Sequence, residues 1–184
     1  MVVFTQVEDV KITVPMDKCP DDLKSNILKY LNNLREEHSA PALTEDQGIS
    51  NYSQKWANDL AERNGTDSDP NNKYVKEALI LGDWRVDVKG PEFYPLFNTE
   101  GFMNNYLNIF GRESYPLYEQ EPTAEQIAPY DPFTRIIWKS SEKVGIGCSA
   151  GYSSPTWSTV NIVLNFYPAG NVPGSFKDNV LKKK

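Results

Sequence analysis

The stretch Pro132-Phe133-Thr134-Arg135-Ile136-Ile137-Trp138-Lys139-Ser140 leads through Val144-Gly145-Ile146-Gly147-Cys148 to Val160-Asn161-Ile162-Val163-Leu164-Asn165-Phe166-Tyr167-Pro168. Phe133, Ile136, Ile137 and Ser140 recur at helical spacing, so the stretch opens with a short helix. Val144, Ile146 and Cys148 alternate with Gly145 and Gly147, the pattern of a strand approached closely on its glycine face. Val160 to Phe166 is a nearly unbroken run rich in β-branched residues and reads as a second, well-buried strand. Gly, Ser and Pro between Gly151 and Ser158 predict an exposed turn, which makes the two strands an antiparallel pair. Pro168 has no N–H to offer a ladder and ends the pairing.

Working outward, Leu23, Ile27, Tyr30, Leu31 and Leu34 predict an amphipathic helix, capped by Asp21 or Asp22 and stopped before Pro41. Thr44-Glu45-Asp46-Gln47 has the form of a capping box with Thr44 as the cap. The next helix carries Ile49, Tyr52, Trp56 and Leu60 as its buried stripe, beside Ser53, Ala57 and Ala61, and stops at Asn64-Gly65. Val75 to Leu81 reads as a short strand or helix around Glu77. Thr99 caps a third helix with Phe102, Met103, Tyr106, Ile109 and Phe110 inward, closed by Gly111. Residues 112–132 hold Pro116, Pro122, Pro129 and Pro132, and predict a long ordered loop with one helical turn at Thr123 to Ile127. Glu119 and Glu121 in that loop read as solvated charges.

A length of 184 residues suits one packed domain. The division predicted is an extended arm over 1–19, a single domain over 20–181 and a solvated basic tail over 182–184. A net charge of -6 and a pI near 4.9 are wrong for a nucleic-acid surface. Mean hydropathy is -0.55, and no apolar run approaches the roughly 20 residues a bilayer requires. The chain holds one histidine and no Gly-x-Ser-x-Gly elbow, so no Ser-His-Asp constellation assembles. Cys19 and Cys148 allow one disulfide; by the residues alone they either pair or remain two buried thiols. Helices mixed with an antiparallel sheet give an α+β class.

Three blocks also carry a family resemblance. Residues 133–140, and downstream Asn165-Phe166-x-Pro168-x-Gly170-Asn171, resemble the two signature blocks of the CAP superfamily. That family includes cysteine-rich secretory proteins, antigen 5 of insect venoms and plant pathogenesis-related proteins. Leu34-Arg35-Glu36-Glu37-His38-Ser39-Ala40-Pro41-Ala42-Leu43 looks like the end of the family's first helix, and Trp56-Ala57 like the aromatic–alanine pair of its second. The likeness runs in order over roughly residues 24 to 180. It implies an α-β-α sandwich with a small antiparallel sheet between helices. It also implies a secreted, extracellular protein that binds a lipid, a sterol or a partner protein. With no catalytic constellation in the sequence it reads as non-enzymatic, and the alternative is a protein-interaction module that uses the Tyr- and Pro-rich loop 112–132, with homodimerisation open. A cytoplasmic protein is the alternative, because Met1-Val2-Val3-Phe4-Thr5 lacks the apolar core of a leader.

The family's cleft carries two histidines and two glutamates, the histidines binding a divalent metal. By the resemblance, Pro132 occupies one histidine position and Asn64 the other, while Glu77 matches the first glutamate and Asn108 falls at the second. One carboxylate does not make a zinc site, which takes four ligands, so no metal or other cofactor is expected. His38 falls at a structural position. Relatives pair the cysteine matching Cys148 with one just before the Phe-Thr block, where Tyr130-Asp131-Pro132 offers none. Trp84, Phe93, Tyr94, Phe97, Tyr115, Tyr118 and Tyr130 either pack the long loops or line an apolar groove for a sterol or fatty acid. Asn64, in Asn64-Gly65-Thr66, is a candidate glycosylation acceptor.

Overall fold

The computed structural model describes residues 18–63, 65–72, 78–85, 98–154 and 157–184. Residues 1–17 of the expected arm lie outside the described residues. The helices are α1 (Asp21–Glu37), α2 (Gln47–Arg63), α3 (Thr99–Ile109), α4 (Ala124–Ile127), α5 (Asp131–Ile136) and α6 (Phe176–Asn179). The strands are β1 (Thr44–Glu45), β2 (Ala78–Arg85), β3 (Lys143–Ser154) and β4 (Trp157–Tyr167). They form one sheet in the order β1-β3-β4-β2, antiparallel except for the short parallel β1–β3 edge. Gly151–Ser154 and Ser158 belong to the strands, although composition predicts an exposed turn there. β2 continues beside β4 as far as Arg85↔Trp157, so the hairpin is supported along its length.

The alternation in β3 and β4 sorts the sheet into two unlike faces. Val144, Ile146 and Cys148 share one face with Ile162, Leu164 and Phe166, and all are buried in the main core with Leu23, Ile27 and Leu31 of α1, Met103 of α3 and Phe133 of α5. The opposite face carries Gly145, Gly147 and Ser149 across from Asn165, Val163 and Asn161, and α2 lies on it. A Cβ on Gly147 would meet the Ser53 carbonyl carbon at 2.3 Å and the Gln54 nitrogen at 2.4 Å. The two glycines therefore let helix backbone touch strand backbone. That closeness suits small side chains, and the buried face of α2 sets Ser50, Ser53, Ala57 and Ala61 among Ile49, Gln54 and Leu60. Tyr52 and Trp56, expected in the buried stripe, are half-buried at its margin.

Several local expectations change in context. Asp46, not Thr44, caps α2: its Oδ1 accepts the Ile49 N–H at 3.0 Å, while the Thr44 N–H donates to Glu142 in the sheet. Asn98, not Thr99, caps α3, accepting the Gly101 N–H at 2.9 Å. Ile109 is 72% exposed rather than inward, because Phe102, Met103 and Leu107 place the core on the other side of α3. The helical turn expected after Thr123 is α4, with a complete capping box between Thr123 and Gln126. Glu121 is not merely solvated: its carboxylate accepts the Gly174 and Phe176 N–H groups at 2.5 and 3.0 Å.

The three lysines of the tail are exposed, and the end of the tail is also anchored to α1. The Lys184 N–H donates to the Glu37 carbonyl at 2.9 Å, and Lys183 pairs with Glu37 at 3.0 Å, placing cations at the C-terminal end of α1. Cys19 and Cys148 are joined in a disulfide that ties the start of α1 to β3 across 129 residues. Among the described residues no helix is long and apolar enough to cross a membrane.

Candidate functional site

The cleft positions indicated by the resemblance divide into two groups. Asn64 and Glu77 lie outside the described residues. Pro132 sits half-buried in the first turn of α5, where a missing N–H costs nothing. Its ring offers no lone pair to a metal. Asn108 is exposed on α3, beside buried Leu107 and exposed Ile109. Among the described residues no three His, Cys, Asp or Glu side chains converge.

His38 is engaged elsewhere. It is 3% exposed, and its Nδ1 lies 2.8 Å from the Leu181 carbonyl, which can only accept, so Nδ1 carries the proton. The ring stacks on Tyr118 at 5.6 Å and meets the edge of Phe133 at 5.6 Å. Burial pulls its pKa below the ordinary value, although the Leu181 carbonyl and Glu37 act against that shift.

Tyr115, Tyr118 and Tyr130 come together in the same region. Tyr115 is buried and lies edge-to-face with Tyr118 at 4.8 Å, Tyr130 at 5.1 Å and Phe133 at 6.0 Å. Gly111, at φ +90°, makes room for Tyr130, whose ring would sit 2.1 Å from a Cβ there. The three tyrosines thus pack the 112–132 loop onto α5. Burial pushes the Tyr115 and Tyr118 phenols up to about 12, and the Tyr115 hydroxyl is buried with no hydrogen-bond partner. Phe93, Tyr94 and Phe97 lie outside the described residues. Trp84 belongs to β2, where the backbone alone is described.

Two polar features escape the sequence reading. The first is a buried seam between α2 and the sheet. Gln54 receives the Cys148 N–H at 3.1 Å and donates to its carbonyl at 2.7 Å, while Ser50 Oγ accepts the Ile146 N–H at 3.0 Å. Asn165 donates to Ser53 Oγ at 2.8 Å and accepts from Asn72 at 2.7 Å. Here α2 side chains satisfy the edge of β3 that β1 is too short to cover. The available signal was Asn161 and Asn165, four apart in an apolar run and hence on one face.

The second is a pocket of about 500 Å³ between α1 and α3, lined by Lys29, Tyr30, Asn33, Glu37, Asn104 and Arg112 among others. Tyr30 Oη donates to Asn104 Oδ1 at 2.8 Å, and Arg112 Nη1 donates to both groups. No local motif announces it, because its walls come from segments some 75 residues apart.

Three comparisons bear on this arrangement. The family model described as the cysteine-rich secretory protein family, CAP, matches residues 28–166. BmVAL-1 superposes with a TM-score of 0.63 at 12% identity, over 92% of this chain and 86% of that one. NaASP2, crystallised with Zn2+, gives 0.55 at 16% identity over 92% and 90%. MpPR-1i gives 0.55 at 18% identity over 86% and 96%. At these identities the likeness is one of fold. Among curated proteins no sequence match is found.

Proposed function

Since the chain belongs to the cysteine-rich secretory protein (CAP) family, we propose that it is an extracellular protein acting by binding rather than catalysis, its metal cleft lost and its ligand a lipid or sterol. The observation that carries this reading is the position of His38. It is the chain's one imidazole, and it is closed in by Leu181, Tyr118 and Phe133. Histidine-based acid–base catalysis and histidine–zinc ligation both need an accessible imidazole.

NaASP2 was crystallised with Zn2+. In this chain Pro132 has no side-chain donor atom for such an ion and Asn108 is exposed on α3, which supports a cleft without its metal. The Cys19–Cys148 disulfide favours an oxidising, extracellular setting. The lipid-binding residues we propose are Trp84, Phe93, Tyr94 and Phe97 together with Tyr115, Tyr118 and Tyr130, the aromatic residues of this part of the chain.

The test is retention of radiolabelled cholesterol and palmitate by delipidated protein on gel filtration, with zinc calorimetry in parallel. Retention of one lipid, lost in Phe93→Ala/Phe97→Ala, and no zinc heat are expected. Neither lipid held above a denatured control would overturn the lipid reading. Tight one-to-one zinc binding removed by Glu77→Ala would overturn the loss of the metal site.

A further inference from the structure

We propose that the pocket between α1 and α3 binds a neutral oligosaccharide of hexose or N-acetylhexosamine units. Its volume of about 500 Å³ falls among small-molecule sites. The chemistry of its wall selects the ligand. Lys29 and Arg112 are balanced by Glu37 and Glu100, so the pocket presents no single-sign field. Arg112 is further held by Asn104, Tyr30 and, at 3.8 Å, Glu37, and is not a free anchor for phosphate or sulfate. A lipid tail would strip water from amides and charges without replacing their hydrogen bonds, and each group left unpaired would oppose binding.

A sugar hydroxyl both donates and accepts. It therefore matches a wall that mixes amides, carboxylates and an ammonium group, here Asn26, Asn33, Asn104, Glu100 and Lys29. Tyr30 contributes an aromatic wall, held by the Asn104 and Arg112 bonds before any ligand arrives. A second, more open pocket of about 470 Å³ shares Asn33 and continues past Glu36, Ser39 and the apolar Ala40, Pro41 and Ala42 to Lys184. The two pockets make a track along α1, which suits a chain of sugars better than a single ring.

This site is independent of the proposed lipid site and is tested separately. Chitotriose and maltotriose would be titrated against the full chain by saturation-transfer NMR and calorimetry, with a sulfated heparin hexasaccharide and palmitate as contrasting probes. At least one neutral trisaccharide is expected to bind, and Asn26→Ala/Asn33→Ala, at two exposed positions that leave the core intact, should weaken it about tenfold or more. Asn104→Ala should do the same. No saturation transfer from either neutral trisaccharide at about 10 mM, a range that includes very weak sites, would overturn the proposal. So would binding unaffected by the Asn26/Asn33 variant, or displacement of the trisaccharide by palmitate. Palmitate retained through Phe93 and Phe97 while both trisaccharides fail would remove this proposal and leave the lipid reading standing.

Discussion

Arg35 on α1 donates to the carbonyl of Ser141 at 2.7 Å, reaching a residue 106 positions further along the chain. The same fully buried guanidinium donates to the carbonyls of Pro41, Ile136 and Trp138 at 2.8 to 2.9 Å. Burial lowers its pKa to about 10. One cation thus holds the end of α1, the exit of α5 and the turn into β3. Arg35→Lys should destabilise the domain by about 3–5 kcal/mol, because an ammonium cannot span four carbonyls in a plane and leaves some of them buried and unpaired. Urea denaturation checks this, and a midpoint within error of wild type would refute the role assigned to Arg35.

Gly147→Ala sets a new Cβ against the backbone of α2 rather than against a side chain able to rotate away. The helix must lift from the sheet, with loss of Gln54 from Cys148. A cost of about 3 kcal/mol or more is expected. Gly174→Ala is the contrast: nothing lies within 4 Å of its Cβ, and only the positive φ opposes it. Thermal melting of the two variants should rank them in that order.

Tyr115→Phe removes a buried hydroxyl that has no partner while keeping the ring contacts to Tyr118, Tyr130 and Phe133. The variant should be more stable by about 1 kcal/mol. A loss of stability would mean that the hydroxyl is satisfied in solution.

His38 makes a pH prediction with a single probe, since the chain has no other imidazole to overlap its resonance. Its folded pKa lies below 6.5 because burial disfavours the charged ring. As pH falls through 6.5 the unfolded chain takes a proton that the folded one refuses. The contribution of His38 to stability is therefore full above 6.5, declines below it and levels off once the folded pKa is passed. The Cε1–H resonance should titrate below 6.5, and His38→Gln should flatten the melting temperature between about pH 7 and 5. A midpoint above 6.5 would mean that the ring gains a proton-stabilising partner on folding.

Much of the frame was legible from periodicity. The alternation of Val144, Ile146 and Cys148 with glycines, the apolar run from Val160 to Phe166 and the stripe on α1 each reflect a local repeat that fixes which side of an element is apolar. The family followed from the blocks around Phe133–Ser140 and Asn165–Asn171. The candidate sites were far less legible. Asn108 was placed by block spacing and proved exposed, while the Tyr30–Asn104–Arg112 network left no local trace.

By itself, then, the sequence determined the long helices, the existence of the β3–β4 pair, the apolar and glycine faces of β3 and the family, since each depends on neighbours within a turn or a pleat. Only the tertiary structure decided that Asp46 caps α2 because Thr44 is drawn into the sheet, that Cys19 meets Cys148, and that the lysine tail docks on α1. It also decided that Arg35 is held by carbonyls from three segments. The reason is common to all four: each partner sits on a different segment, and no spacing rule within one segment specifies what another brings beside it.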